Sequence, residues 1–313
     1  MSRRVVTLTL NPAVDVATAA PAVRPTHKIR TTDEHVDPGG GGINVARVIQ
    51  ALGGETLAVC ACGGATGQFL TELLEESGVP HRVVPIAGRT RVSFTVRETD
   101  SGQEYRFVPE GPSLAEAEWR AALAALDEAA GGFVVASGSL PPGVPAEVYA
   151  EAARRATARG QSFVLDSSGP ALRAALGAGI ALMKPSLREL ESLVGRALPD
   201  PAAQEAEAHA LVRSGAARMV AVSLGADGAI LATEAGVRRR PALAGPVRSA
   251  VGAGDAFLAA MVLALAGGAT PDAALDWGIA AGAAAVAGVG TARLRREDVA
   301  ARYRRLSEEG RPC

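Results

Sequence analysis

Four consecutive residues, Gly252-Ala253-Gly254-Asp255, have types that suit phosphoryl transfer. They precede an apolar run, 256–269, which predicts a buried helix. Small residues at a helix start let the backbone approach an anion, and the helix dipole favours negative charge there. Asp255 would then stand beside the anion, where a carboxylate can take the proton of an attacking hydroxyl. The structural alternative is an aspartate that only caps the helix or matches its dipole.

Gly252 and Gly254 also match the first half of the dinucleotide-binding pattern G-x-G-x-x-G. This match makes a nicotinamide-dependent oxidoreductase the alternative of a different class. Phe257 takes the place of the third glycine, and the segment lies far from the first predicted strand, so the pattern disfavours a dinucleotide site.

A second glycine run, Gly39 to Gly42, is followed by Asn44 and a predicted helix. A backbone without side chains can contact a hydroxylated ligand closely, and the Asn44 amide can both donate and accept hydrogen bonds. Because no Gly-Lys-Ser/Thr follows, the run is not a Walker A loop. A flexible turn is the alternative interpretation.

The elements that must position these residues alternate between short apolar runs and Ala/Leu/Glu-rich stretches. This alternation predicts an α/β fold with a mostly parallel sheet and helices on both faces. The predicted strands are Val5–Leu10, Thr56–Cys62, Phe133–Ala136, Ser162–Leu165, Ala181–Met183 and Met219–Ser223. The predicted helices are Ile43–Leu52, Gly67–Ser77, Leu114–Glu128, Pro145–Arg159, Ser186–Val194 and Ala202–Ser214. In Leu114–Glu128, one buried stripe is expected to contain Leu114, Ala117, Ala121, Ala124 and Leu126.

Polar or glycine-rich clusters follow five of these strands. Ligands of open α/β sheets bind beyond the carboxyl ends of the strands, so the clusters predict one active site at that edge. The clusters are Asn11–Asp15, Ser137–Gly143, Asp166–Gly169, Lys184–Ser186 and Ser223–Gly225.

Residues 91–97 and 104–108 alternate between apolar and polar residues around a turn at 99–102, which predicts a β-hairpin. Its polar face carries Arg91 and Arg106. With Lys28 from the irregular segment 11–37, these cations could bind a substrate phosphate, although solvated surface cations are the alternative. The two segments together predict a small β appendage on the α/β body.

Composition narrows the class of protein. The 32 Lys and Arg nearly balance 33 Asp and Glu, so nucleic acid is not the expected partner. The chain is 48% hydrophobic, which excludes global disorder. Three cysteines are too few for a disulfide framework, and Cys60 and Cys62 fit the core of a strand. With no leader or membrane-spanning pattern, we expect a cytoplasmic protein without a membrane partner.

These motifs, in this order from Thr7 to Gly290-Thr291, resemble the pfkB branch of the ribokinase-like carbohydrate kinases. Residues 42–46 resemble the first sequence signature of the family, with Gly53 and Gly63 at the expected spacings. Residues 251–255 resemble the second signature. The resemblance implies a three-layer α/β/α body with a mostly parallel sheet and a small β-sheet lid. The body would comprise 1–11, 38–88 and 111–313, and the lid 12–37 and 89–110. Within the family, the motifs look most like those of the minor bacterial 6-phosphofructokinases.

The resemblance also implies a role for each matching residue. Asp255 would be the base, with Gly252, Ala253 and Gly254 as the anion hole. The sugar would be held by Asp15, Gly39, Gly40, Asn44 and Ser139. The sugar phosphate would be held by Arg91, Arg106 and, from a neighbouring subunit, Lys28. The ATP-binding site would be lined by Lys184, Ser186, Ser223, Gly225 and Gly228. Glu189 would orient Mg²⁺ through water, and the lid would form a homodimer.

The chain departs from the family pattern at three places. Ser186 replaces the asparagine of the Asn-x-x-Glu motif, and Ala250 replaces a threonine before the anion hole. Ser249 stands where many relatives place an aspartate at a monovalent-cation site near Ala285, Gly288 and Gly290, which argues against potassium activation.

The expected reaction is ATP-dependent phosphorylation of the 1-hydroxyl of fructose 6-phosphate. Kinases of fructose 1-phosphate or tagatose 6-phosphate usually carry lysine at the position of Gly41, and such a sister kinase is the nearest alternative. A third alternative is a protein that senses sugars and nucleotides without catalysis. The presence of Asp15, Asn44 and Asp255 disfavours it.

Overall fold

The computed structural model describes residues 4–288 and 294–309, without the side chains of Ser307 and Glu309. Two residues of the sequence motifs, Gly290 and Thr291, lie outside the described residues. Within the described part, the chain forms two β-sheets and ten α-helices.

The larger sheet has nine strands, and its strands run in the spatial order β13-β12-β11-β10-β9-β8-β1-β4-β5. Seven of them are parallel, and β12 and β13 add an antiparallel edge. The nine strands are β1 (Val5–Thr9), β4 (Thr56–Cys62), β5 (His81–Pro85), β8 (Phe133–Ser137), β9 (Ser162–Asp166), β10 (Ile180–Met183), β11 (Met219–Ser223), β12 (Ala229–Thr233) and β13 (Gly236–Arg240). The parallel centre confirms the predicted α/β class.

Helices cover both faces of this sheet and form the outer layers of a three-layer body. The first face packs mainly against α3 (Glu116–Asp127), α4 (Val148–Ala158), α5 (Gly169–Ala175), α6 (Leu187–Val194) and α7 (Pro201–Arg213). The other face packs against α1 (Gly41–Ala51), α8 (Ala253–Ala266), α9 (Pro271–Ala287) and α10 (Arg296–Glu309). The remaining helix, α2 (Gly64–Glu76), helps to bury Cys60 and Cys62 in a smaller core.

The predicted stripe of α3 is wrong at its three alanines. Ala117, Ala121 and Ala124 are exposed, whereas Trp119 and Leu123 lie in the core. Burying a Trp or Leu side chain removes more apolar area from water than burying alanine, so the bulky residues decide which face turns inward.

The smaller sheet has four strands in the order β3-β2-β6-β7. These strands are β2 (Ala13–Ala20), β3 (Thr32–Gly39), β6 (Arg91–Glu98) and β7 (Glu104–Phe107). The hairpin β6–β7 is antiparallel as predicted, and β2 joins it in parallel. β3 ends at Gly39, two residues beyond the expected boundary at residue 37.

The two faces of the smaller sheet have different surroundings. Val14 and Val92 pack on the core beneath α1 and α2. Farther out, Phe94 and Phe107 pair across β6 and β7 but remain 45% and 56% exposed. The opposite, polar face of the sheet looks toward the edge of the larger sheet where β8 and β9 end.

Strands β12 and β13 were not predicted. β12 is a short apolar run, Ala-Ile-Leu-Ala-Thr, whereas β13 reads Gly-Val-Arg-Arg-Arg and lacks an apolar pattern. Its arginines are paired with acidic residues: Arg238 with Asp272, Arg239 with Glu205, and Arg240 with Asp276. Among the residues that the structure describes, no helix combines the length and apolar character needed to cross a bilayer.

We predict that Gly63→Ala destabilises the fold by about 3 kcal/mol, because the added methyl group meets backbone rather than a movable side chain. A Cβ at Gly63 would lie 2.0 Å from the carbonyl oxygen of Ile86 and 2.6 Å from that of Gly88. Urea denaturation measures the loss, with Gly245→Ala as the control because no heavy atom lies within 4 Å of its added Cβ. Equal midpoints for the two variants would contradict the prediction.

Candidate active site

A cavity of about 270 Å³ opens between the polar face of the smaller sheet and the ends of β8 and β9. The N-termini of α1 and α8 also reach it. Eight of the residues predicted to do chemistry line it: Asp15, Gly40, Asn44, Arg91, Arg106, Ser139, Glu189 and Asp255. Residues distant in the sequence therefore converge at the expected edge of the sheet.

Asp255 lies in the first turn of α8 and accepts a hydrogen bond of 2.8 Å from the Asn44 amide of α1. Its withdrawal from water and the negative charge of Asp166 raise the pKa of Asp255 to about 7, against the opposing hydrogen bond from Asn44. A carboxylate with this pKa is suited to general-base chemistry near neutral pH. The side-chain oxygen of Asn44, Oδ1, has no hydrogen-bond partner among the described residues, so it can still accept a hydrogen bond from a ligand hydroxyl.

The N-terminus of α8 consists of small residues, which let a ligand come close to its backbone. Gly252 precedes the helix with φ of 76°, and Ala253 and Gly254 form its first positions. A Cβ on Gly254 would lie 3.5 Å from Nζ of Lys184. The Ala253 N–H makes a long hydrogen bond of 3.4 Å to the Ala250 carbonyl. The first-turn N–H groups of α8 and the Lys184 ammonium therefore lie near the same small region, which favours an anion.

Lys184 is almost completely buried and pairs with Asp166 at 3.1 Å. Burial alone would lower the pKa of Lys184, but the carboxylates of Asp166, Glu189 and Asp255 outweigh it and raise the pKa. Lys184 is therefore held as a cation beside the anion region. For Asp166 itself, burial raises the pKa despite the attraction of Lys184.

Asp15 and the glycine run form another wall of the site. A Cβ on Gly39 would stand 2.0 Å from an Asp15 carboxylate oxygen, so a larger residue at position 39 would displace the Asp15 carboxylate from its place in the site. Gly40 has φ of 110°, a conformation that other residues rarely adopt. Burial raises the pKa of Asp15, although Arg106 and Arg91 oppose the shift.

Arg91 and Arg106 place positive charge at the end of the cavity that the smaller sheet forms. The Arg91 guanidinium donates to the carbonyl oxygens of Asn11 and Pro109, both at 2.8 Å. Its buried Nε has no hydrogen-bond partner among the described residues. Arg106 is exposed at the rim, so both guanidinium groups can meet a phosphate.

Ser186 and Glu189 have a structural task that the sequence reading did not assign to them. Ser186 caps α6, and its hydroxyl and backbone N–H donate to Glu189 at 2.8 and 2.7 Å. The Glu189 N–H donates back to the Ser186 hydroxyl, which completes a capping box. Glu189 still borders the cavity, whereas Ser186 does not belong to its lining among the described residues.

The remaining predicted residues lie outside this cavity in the described part of the chain. Ser223 ends β11 beside Ser186, and Gly225 and Gly228 flank the single 3₁₀ turn that follows. Lys28 lies in the exposed loop between β2 and β3. Ser223, Gly225 and Gly228, the residues expected to bind the nucleotide, thus lie at the end of β11, beside the cavity but not in its lining. Lys28 lies away from the cavity of its own chain.

Ser249, at the proposed cation position, is buried between the start of α8 and the end of α9. Its hydroxyl accepts from the Val251 N–H at 3.2 Å, and its neighbour Arg248 donates through its N–H to the Val286 carbonyl at 2.7 Å. Gly290, named with it in the sequence analysis, is outside the described residues.

Asp166 is the main site residue to which the sequence analysis gave no role. It belonged to a polar cluster after β9, but an Asp-Ser-Ser-Gly stretch does not reveal that its partner, Lys184, follows the next strand. Ser93, Ser137 and Gly138 also line the cavity. Their positions depend on the register of the two sheets, which a single sequence does not display.

The chain is similar to known proteins over almost its whole length. It is 46% identical over 298 residues to ATP-dependent 6-phosphofructokinase isozyme 2 of Mycobacterium tuberculosis, covering 95% of this chain and 88% of that protein. Three solved structures of phosphofructokinase-2 from Escherichia coli each cover 98% of this chain and 100% of that chain. They are a potassium complex (TM-score 0.93, 41% identity), a tetrameric inhibited form (0.92, 40%) and a fructose-6-phosphate complex (0.91, 40%).

The family model described as pfkB family carbohydrate kinase matches residues 8–297. This match excludes the oxidoreductase alternative, and the structure supplies the reason. Gly252 and Gly254 open α8 after a long loop, whereas a dinucleotide fingerprint belongs to the turn after the first strand. The chain belongs to the pfkB family of carbohydrate kinases.

Proposed function

We propose that this chain is an ATP-dependent kinase that phosphorylates the 1-hydroxyl of fructose 6-phosphate to give fructose 1,6-bisphosphate. The observation that carries the proposal is the arrangement of the cavity, with Asp255 beside the anion-binding turn of α8 and with Arg91 and Arg106 on the smaller sheet. The relatives named as 6-phosphofructokinases support the choice of substrate.

In this mechanism, Asp255 takes the proton of the sugar 1-hydroxyl as the new oxygen–phosphorus bond forms. The bond from the γ-phosphorus to the β,γ-bridging oxygen breaks, and ADP leaves with those electrons. The N–H groups of Gly252, Ala253 and Gly254 and the Lys184 ammonium stabilise the charge on the transferring group. Asn44 orients the Asp255 carboxylate, so that catalysis consists mainly of positioning and electrostatics.

The sugar would lie between Asp255 and the two arginines. Asp15 and Asn44 offer acceptors for its hydroxyls, while Gly39, Gly40 and Ser139 allow backbone or hydroxyl contact. Arg91 and Arg106 would hold the 6-phosphate. This orientation leaves the 1-hydroxyl for Asp255 and distinguishes the reaction from that of a kinase of fructose 1-phosphate.

The nucleotide would extend from the α8 turn along Lys184, Ser186, Ser223, Gly225 and Gly228. Mg²⁺ commonly keeps several waters and binds through one or two carboxylates together with nucleotide phosphates. Glu189 borders the cavity next to Lys184, and the described residues include no cluster of three acidic, histidine or cysteine side chains suited to a metal. We therefore propose that Glu189 acts on Mg²⁺ through water, and that the metal neutralises phosphate charge when bound.

The first experiment measures ATP consumption with fructose 6-phosphate, fructose 1-phosphate, tagatose 6-phosphate and fructose. We expect kcat/KM for fructose 6-phosphate to be at least about tenfold above the others. Charge-assisted contacts of its phosphate with Arg91 and Arg106 should contribute more than about 1.4 kcal/mol relative to fructose, and the placement of the 1-hydroxyl and of the ring hydroxyls should distinguish it from the other two phosphosugars. Arg106→Gln should raise the KM of fructose 6-phosphate and leave that of fructose unchanged. Arg97→Gln is the control, since Arg97 lies on the same strand face as Arg91 but does not border this cavity. A preference for another phosphosugar would overturn the substrate and keep the fold.

Asp255→Asn should lower kcat by a factor of about 10²–10⁴ with little change in thermal stability, because the amide cannot accept the hydroxyl proton. Asp272→Asn is the matched control, an exposed aspartate in the first turn of α9. Activity of Asp255→Asn within a few-fold of the unmodified enzyme would remove Asp255 from the role of base.

The same assignment fixes the pH dependence. Because the ionised carboxylate is the base and its pKa is about 7, kcat/KM should fall as the pH drops through about 7. The substrate phosphate titrates near pH 6 in every variant. Asn44→Ala should move the Asp255 limb to higher pH, because the carboxylate loses a hydrogen-bond donor that lowers its pKa. An unmoved limb would contradict the assignment.

We also propose that the smaller sheet acts as a lid and joins two copies of the chain. The support is the exposed pair Phe94 and Phe107 on one face, together with the position of Lys28 away from its own cavity, from which it can reach a neighbour. Phe107→Ser should weaken association by about tenfold or more in sedimentation equilibrium. Phe69→Ser, on α2, is the control because Phe69 is similarly exposed at 42%. Equal association of both variants would place the interface elsewhere.

A further inference from the structure

The turn after β8 is held in place by hydrogen bonds to the backbone N–H and carbonyl of one residue, Gly138. Its N–H donates to the Asp166 carbonyl at 2.9 Å. Its carbonyl accepts from two hydroxyls, Tyr149 at 3.1 Å and Ser167 at 3.0 Å. With φ of 113°, Gly138 has a backbone conformation that side chains disfavour, so its geometry depends on these contacts as well as on its residue type.

Tyr149 occupies the first turn of α4 and is completely buried. It lies outside the lining of the cavity, within the described residues. Burial, with the nearby charge of Asp166, raises the pKa of its hydroxyl, so the group remains a proton donor throughout the range in which the enzyme would work. A tyrosine that serves only the core could be phenylalanine, because a buried hydroxyl without a partner is costly. Here the hydroxyl reaches the Gly138 carbonyl.

The conformation of Gly138 sets the positions of the two residues beside it, whose side chains face the cavity. Ser139 follows it, and its hydroxyl lies 3.4 Å from the Asn11 amide. Ser137 precedes it, with its hydroxyl 3.4 Å from the Asp166 carboxylate. A Cβ on Gly41, at the start of α1, would stand 3.1 Å from the Gly138 nitrogen, so this turn packs closely against α1. A shift of this turn would therefore move Ser139 and the wall of the sugar site together.

We propose that Tyr149 is a positioning residue for the sugar, whose hydroxyl fixes the Gly138 carbonyl and thereby the placement of Ser139. The proposal rests on the proposed function, because it assigns the cavity beside Ser139 to the phosphosugar. It predicts an effect on sugar affinity that is separate from the chemical step at Asp255 and from nucleotide binding.

The test is Tyr149→Phe, which keeps the ring and removes the hydroxyl. One hydrogen bond contributes about 1 kcal/mol, so the KM of the phosphosugar should rise about fivefold. The KM of ATP and kcat should stay within about twofold. Tyr303→Phe is the matched control, since Tyr303 stacks on Trp277 in the outer helices and the substitution preserves that stacking.

Ser167→Ala provides a second variant, because it removes the other donor to the same carbonyl. If the two hydroxyls share one task, the double variant should raise the sugar KM more than the product of the single effects. Thermal denaturation of each variant is recorded beside the kinetics to separate a local effect from a general loss of structure.

An unchanged sugar KM in Tyr149→Phe would overturn the proposal. So would a parallel change of kcat, both KM values and melting temperature, which would show a structural role only. The unmodified enzyme is first assayed on all four sugars, and the variants are compared on its best substrate. A different preferred sugar therefore refutes the proposed function without deciding the role of Tyr149, which the KM split then tests separately.

Discussion

The site depends on one buried ion pair, between Lys184 and Asp166. Three carboxylates, Asp166, Glu189 and Asp255, act on Lys184, and an ammonium among them is what makes so much negative charge tolerable in a buried place. The pair follows two adjacent parallel strands, β9 and β10, so the sheet brings its members together without any local sequence signal. The hydrogen bond from Asn44 to Asp255 joins the first turn of α8 to α1 beside this pair.

The body and the smaller sheet divide the chemistry between them. The body supplies the proposed base, the proposed anion turn and Lys184, all at strand ends or in the first turns of helices. The smaller sheet supplies Arg91, Arg106 and Asp15, on strands that contact the body through a small apolar core and through the ion pair of Asp37 with Arg47 of α1. In the proposed function, the reacting groups thus belong to the α/β body, and the groups that hold the substrate belong partly to the smaller sheet, which we propose as a lid.

The sequence revealed much of the fold because its strands are short apolar runs and its polar clusters follow them. Asp255 and Asn44 could be chosen from their places beside small residues, and their convergence follows from the sheet. The buried face of α3 was predicted wrongly because alanine fits either face of a helix. The packing of Trp119 and Leu123 into the core determines which face is buried. Strand β13 and the pairing of Asp166 were missed for another reason. Charged residues reveal their partners only through contacts made across the fold.

The arginine strand β13 has a consequence for the sheet as a whole. An edge strand offers unpaired peptide groups to any extended chain, and continued addition of strands is the route to aggregates. Along β13, each of three successive arginines is tied to an acidic side chain of α7 or α9, so fixed charge flanks this edge. An approaching strand would have to displace ion pairs before it could bond. These ion pairs therefore disfavour the addition of a further strand to the nine-stranded sheet on this side.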